Sequence, residues 1–281
     1  MIDKQEIMSQ ARSLKLTPDI IEKDYVLNWV LAGICNQNNL RDTWIFKGGT
    51  CLKKCFFENY RFSEDLDFTI KDLKHLDVVF LHKEFVSISK WIYNQSGIEI
   101  PESNISFDIY KNPRGNLSVE GGIGYRGPLQ RRGSMSRIKL DLTNDEKIVL
   151  NPELRKVFHP YSDLKNNKLM IVSYCFEEIF AEKIRALSER LRPRDLYDVV
   201  HLHLDKRWHP DRDKIFRSLK EKCEYKGINM PTIDSLSAHI YLRELSVEWN
   251  NMLAHQISDL SSVSWYWDRL PEVFRWIYQT T

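Results

Sequence analysis

The segment FKGGTCLKKCFFENYRFSEDLDFTI, residues 46–70, constrains the fold of this chain more than any other. It ends in DLDFTI, where polar and apolar side chains alternate. A period of two marks a β-strand with one face in the core. Leu66, Phe68 and Ile70 then point inward, and Asp65 and Asp67 share the opposite face. Asp is depleted in strands, so a pair on one face needs a reason. Two carboxylates held a few ångströms apart repel each other unless positive charge lies between them. The usual solution is a hard divalent cation taken by oxygen ligands. Just upstream, a short apolar run closes on Gly48, Gly49 and Thr50 and opens a helix-like stretch. A glycine turn at a helix N-terminus offers backbone N–H groups to a phosphate. The two features together point to a site for a metal and a nucleotide.

The remaining elements fall around that strand. Thr17 and Pro18 read as a helix start, cap and first position, and Ile21, Val26, Leu27, Val30 and Leu31 carry the helix to about residue 36. Residues 44–47 read as a strand, 50–58 as a helix and 78–93 as a long amphipathic helix. Strands are predicted at 105–110, 117–125 and 137–142, joined by turns rich in Gly and Arg. After Pro160 the pattern is helical, with helices expected near 177–190, 193–205, 211–222, 235–255 and 265–278. The expected fold class is α+β. A mixed-sheet core with an N-terminal helix occupies residues 1–160, and a C-terminal helical bundle occupies 161–281. The boundary falls in the Pro-containing polar stretch 151–167.

Forty-one basic and 39 acidic residues leave a formal charge of +2, so whole-chain charge argues neither for nor against nucleic acid. The five cysteines are odd in number and form no C-x-x-C pair. That usage fits reduced thiols better than a disulfide framework or a zinc site, with Cys51 and Cys55 as small core residues. No stretch reaches the roughly 18 apolar residues that spanning a bilayer requires, and the start MIDKQEIMSQ lacks a signal-peptide core. A cytoplasmic protein without a membrane partner is expected.

Three further groups carry potential chemistry. RIKLDLT, residues 137–143, is a strand with Asp141 at its centre, a third carboxylate if it lies beside the Asp65 strand. Two-metal phosphoryl-transfer sites commonly hold their cations with three such groups. In residues 176–199, Lys183 rides beside an apolar helical stripe, and Arg190, Arg194, Asp195 and Asp198 follow closely. From the residues alone, snorkelling and surface ion pairs account best for that density of charge. Arg126, Arg131, Arg132, Arg137 and Lys139 run without an intervening acid, which suits a polyanion such as RNA. The H-E-x-x-H, G-x-S-x-G, Walker-type and protein-kinase signatures are all missing from the sequence.

Several of these segments together resemble the AbiEii/AbiGii toxin-type nucleotidyltransferases of the DNA polymerase β-like superfamily. The matching residues are 22–25 (EKDY), 46–50 (FKGGT), 61–68 (RFSEDLDF), 138–143 (IKLDLT), 177–186 (EEIFAEKIRA) and 192–199 (RPRDLYDV), in order over about 180 residues. The resemblance implies a mixed-sheet catalytic core, a helical domain, and transfer of a nucleotide from an NTP with Mg²⁺. It implies that Asp65 and Asp67 carry metal, with Asp141 or an acid from 195–198 helping, and that Gly48, Gly49 and Thr50 hold phosphates. Lys47, Lys54 and Ser63 are placed at the nucleotide, and Lys183 at the triphosphate. Asp195 or Asp198 is implied to complete the site. Such toxins imply an RNA acceptor, the tRNA 3′ end, a role in phage defence, and a cognate antitoxin encoded nearby. Two other outcomes fit the same residues: an NTP-binding toxin or regulator without turnover, or a nucleotidyltransferase or kinase acting on a protein or small molecule.

Overall fold

A computed structural model describes residues 1–112, 114–131, 133–164 and 169–279. They form two compact units, one of Met1–Glu146 with Glu153–Ser173, the other of Lys147–Pro152 with Tyr174–Thr281. The segment 153–173 thus falls with the first unit. Two strands that the sequence pattern did not announce, 153–156 and 170–173, belong to the first unit's sheet. Residues 147–152 instead join the helices. Glu178 accepts from the backbone N–H of Val149 (3.2 Å) and Leu150 (2.9 Å), and Lys222 donates to the carbonyl of Lys147 (2.8 Å).

The first unit is built on seven strands: β1 (Trp44–Lys47), β2 (Asp65–Ile70), β3 (Ile105–Lys111), β4 (Leu117–Tyr125), β5 (Ser136–Thr143), β6 (Glu153–Lys156) and β7 (Met170–Ser173). Their order is β3-β4-β5-β2-β1-β7-β6. At the centre, β2 pairs antiparallel with β1 and parallel with β5. Alternation sorts the two faces as the sequence suggests. Leu66 and Phe68 of β2, Ile138, Leu140 and Leu142 of β5, and Val119 and Ile123 of β4 are all buried. Each such side chain contributes about 1.5–3 kcal/mol on leaving water. Phe68 lies 5.3 Å from Trp44 and 5.2 Å from Phe46, and Trp44 lies 6.2 Å from Phe85 of the helix Val78–Ser96. That helix packs closely on Pro18–Asn36, since a Cβ at Gly33 would lie 2.5 Å from Ile88 Cγ2.

Local departures from the sequence reading have local causes. An unexpected first helix, Lys4–Leu14, starts where Asp3 accepts from the N–H of Glu6. Thr17 does precede Pro18–Asn36, but its side chain makes no cap hydrogen bond. The helix expected over 50–58 begins earlier, as Gly48–Cys51, and widens into a π-helical turn over Leu52–Phe56. In the second unit, the helix expected over 235–255 is two, Ile233–Ser237 and Leu242–Leu253. The stretch 265–278 is likewise Val263–Trp267 followed by Leu270–Tyr278, with Pro271 in its first turn. Ile179, Phe180, Leu196, Leu219, Trp249 and Phe274 are buried among these helices. All five cysteines are free, and burial pushes the Cys51 thiol well up beside Cys55, as suits core residues. Among the described residues no helix is long and apolar enough to cross a membrane.

Candidate active site

The register of the sheet gathers the aspartates. Asp67 stands opposite Asp141 on β5 and opposite Lys47 on β1, and Asp65 lies two residues back on the same face. The strand of Asp141 therefore does adjoin that of Asp65. The row continues outward, for β4 sets Glu120 opposite Asp141 and β3 sets Asp108 opposite Glu120. Neither outer acid was singled out from the sequence. Each occupies a polar position of an alternating strand, but alternation does not say which strands are neighbours. Loss of water around Asp141 pushes its pKa up to about 6, and the charges of Asp67, Asp65 and Glu120 act in the same direction. Solvent still reaches the side chain, so the shift records crowding by protein and like charge on its flanks. Among the described residues no three or more His, Cys, Asp or Glu side chains are gathered closely enough to hold a metal ion between them. The aspartates form a row, not a cage.

The diglycine lies against this row. Gly48 has φ +79°, and a Cβ there would lie 2.1 Å from Asp67 Oδ2. Only glycine leaves room for that carboxylate and adopts that backbone without strain. A Cβ at Gly49 would meet Arg61 Nη2 at 2.7 Å and Ser63 Oγ at 3.0 Å. Thr50 donates its hydroxyl to the carbonyl of Asp65 at 2.5 Å, tying the start of the helix to the start of β2. Lys47 is nearly buried, its amine 3.8 Å from Glu146. Lys47, Gly48, Gly49, Thr50, Ser63, Asp65, Asp67 and Asp141 are thus brought together. Lys54 is not. Its side chain is 2% exposed and its amine is 2.7 Å from Asp24, so it is spent inside the core and corrects the expectation of a nucleotide contact.

Within the helical unit, Lys183, Asp195 and Asp198 form their own cluster. The Lys183 amine is 2.7 Å from Asp198 and 3.9 Å from Asp195. Arg190 grips Asp195 with two hydrogen bonds, at 2.6 and 2.9 Å. Both aspartates are fully buried, which overturns the reading of this segment as surface ion pairs. Charges this deep persist only when paired and hydrogen-bonded.

Residues 29–279 match the family described as nucleotidyl transferase AbiEii toxin of type IV toxin–antitoxin systems. The chain belongs to the AbiEii family. It is a nucleotidyltransferase, and the family implies an NTP substrate and a cognate antitoxin. Among solved structures it is similar to MenT4, a nucleotidyltransferase toxin from Mycobacterium tuberculosis H37Rv. That match has 17% identity and a TM-score of 0.54 and covers 99% of this chain and 98% of the other. Likeness at this identity establishes the fold. No curated protein matches the sequence significantly.

The arginines of this AbiEii-family chain are less uniformly positive in space than in sequence. Arg126 is 3.8 Å from Glu99, Arg131 pairs with Asp19, and Lys139 is 3.7 Å from Glu120. Arg137 donates to Ser106 Oγ at 2.9 Å. Arg132 lies outside the described residues. Acids from distant segments answer a run that contains none itself.

Proposed function

We propose that this toxin transfers an NMP group from an NTP to an RNA acceptor, the tRNA 3′ end, in a Mg²⁺-dependent reaction. The observation that carries the reading is the Asp67 carboxylate seated against Gly48, with Asp65 and Asp141 on the same sheet face. The donor set fits Mg²⁺. This ion keeps several waters and is held by one or two carboxylates plus substrate phosphates, so no preformed protein cage is needed. Asp65 and Asp67 would hold it, with Asp141 beside them. When bound, the ion neutralises charge on the triphosphate and its leaving pyrophosphate.

The chain's own residues do the positioning. Lys47, on the face of Asp67, adds positive charge beside the carboxylates, and Gly48 and Gly49 let the backbone approach the phosphates closely. The ion pairs of Arg126 and Arg131 are about half exposed, worth little each, and open to exchange for RNA phosphates.

Incubation of the protein with labelled NTPs and total tRNA tests the reading. Label is expected on RNA with wild type and to be lost with Asp67→Asn or with EDTA, while the variant keeps its melting temperature. A folded Asp67→Asn protein that labels RNA at the wild-type rate refutes the role of Asp67. Label carried only by protein or a small molecule refutes the RNA acceptor.

A further inference from the structure

One turn of the helix Pro18–Asn36 sends four consecutive side chains to four different segments. Glu22 accepts from the N–H of Leu129 at 2.6 Å. Lys23 reaches Glu64 at 2.7 Å. Asp24 pairs with Lys54 at 2.7 Å and accepts from the Tyr161 hydroxyl at 2.8 Å. Tyr25 donates its hydroxyl to Asp163 at 2.7 Å. Glu22, Asp24 and Tyr25 are buried, and their ties are what the packed core requires. Lys23 and Glu64 differ, with side chains 19% and 29% exposed. The fold does not need them as it needs a buried pair.

What distinguishes this pair is where Glu64 sits. It immediately precedes Asp65, in the stretch 61–64 that carries no strand pairing. The inner side of that stretch is fixed. Arg61 and Ser63 lie against Gly49, and Phe62 lies 3.8 Å beneath the Lys53 amine. On the outer side, the contact made by Lys23 holds Glu64. Glu64 is joined to Asp65 by one peptide bond, so a pull on its side chain bears on the backbone angle from which the Asp65 carboxylate is aimed. Repulsion from Asp67 and Asp141 works against that aim.

We propose that Lys23 is a positioning residue for nucleotidyl transfer, acting through Glu64 on the Asp65 carboxylate. This rests on the reading of Asp65 and Asp67 as the carboxylates that hold the cation and triphosphate. Displacement of a reacting group by 1 Å costs about a hundredfold in rate, and a fraction of that shift is expected here.

The test compares full-length Lys23→Met, Glu64→Gln, the double variant and Lys23→Arg for melting temperature, kcat and KM for NTP. Each single variant should lose about tenfold or more in kcat with little change in KM or melting temperature. The double variant should be no slower than either single one, because both remove the same contact. Lys23→Arg should restore most of the rate. Asp67→Asn serves as the separate check on the underlying reading. If Asp67→Asn is active, the aspartate assignment fails. If Asp67→Asn is inactive but Lys23→Met turns over like wild type, the positioning role fails. It fails equally if the single losses multiply in the double variant, or if kcat falls only in step with melting temperature.

Discussion

Replacing Gly48 by alanine applies two separable insults at one point. The backbone there has φ +79°, and an L-residue in the left-handed region costs about 1–2 kcal/mol. The added Cβ would also lie 2.1 Å from Asp67 Oδ2, against 3.4 Å or more for an ordinary contact. The carboxylate must therefore retreat by roughly an ångström, and misplacement on that scale costs about a hundredfold in rate. Gly115 supplies the control. It has φ +82° and nothing within 4 Å of an added Cβ, so Gly115→Ala carries the strain without the clash. Urea unfolding should show both variants destabilised by about 1–2 kcal/mol, with any excess in Gly48→Ala reporting overpacking. Steady-state transfer from labelled NTP should fall by about two orders of magnitude in Gly48→Ala and stay near wild type in Gly115→Ala. A Gly48→Ala protein within threefold of wild-type kcat would show that the Asp67 carboxylate does not have to stay where Gly48 lets it lie. Equal rate losses in the two variants would assign the effect to backbone strain.

Two other perturbations bear on charge. The Asp141 carboxyl has a pKa of about 6 in the folded chain against roughly 3.9 unfolded. The native state thus binds more protons in that interval, and stability falls as pH rises from about 4 to 6. Without divalent cations, Asp141→Asn should melt above wild type at pH 7, and the two should converge by pH 4. A wild type that melts higher at pH 7 contradicts the crowding of like charge. In the helical unit, the Lys222 amine lies 2.6 Å from Glu178, both side chains 1% exposed. Lys222→Met strands a buried carboxylate and should cost about 3–5 kcal/mol in chemical denaturation, much of it recovered when Glu178→Gln is added. A loss below about 1 kcal/mol would mean that this pair is worth no more than an exposed one.

The site was legible wherever one strand or turn decided the outcome, and illegible wherever partners came from far along the chain. Alternation in DLDFTI told which face Asp65 and Asp67 share, and the diglycine told where the backbone bends. The parallel pairing of β2 with β5 did not follow from either strand, because it depends on β3 and β4 and the helix Val78–Ser96 that intervene. Asp141 could be named only on the condition that the pairing exists. Lys54 shows the converse error. The family resemblance placed it at the nucleotide, but the π-helical turn faces it inward to Asp24, thirty residues upstream. Spacing on a helix shows which residues share a side, not whether another helix covers that side. Asp195 and Asp198 therefore read as solvated ion pairs although both are buried against Lys183 and Arg190. A signal for that burial did exist. The stretch around them, LYDVVHL, carries Leu196, Val199, Val200 and Leu202 on one side of the helix, all four fully buried, and helical spacing sets Asp195 within that side and Asp198 at its edge. The apolar side of an amphipathic helix faces a core, and acids placed on that side must find partners there. The same test, applied to EKDY at the start of the apolar helix Pro18–Asn36, marks Glu22 and Asp24 as acids with buried partners. It leaves Lys23, the partly exposed member of that turn, as the residue whose partner the core does not dictate.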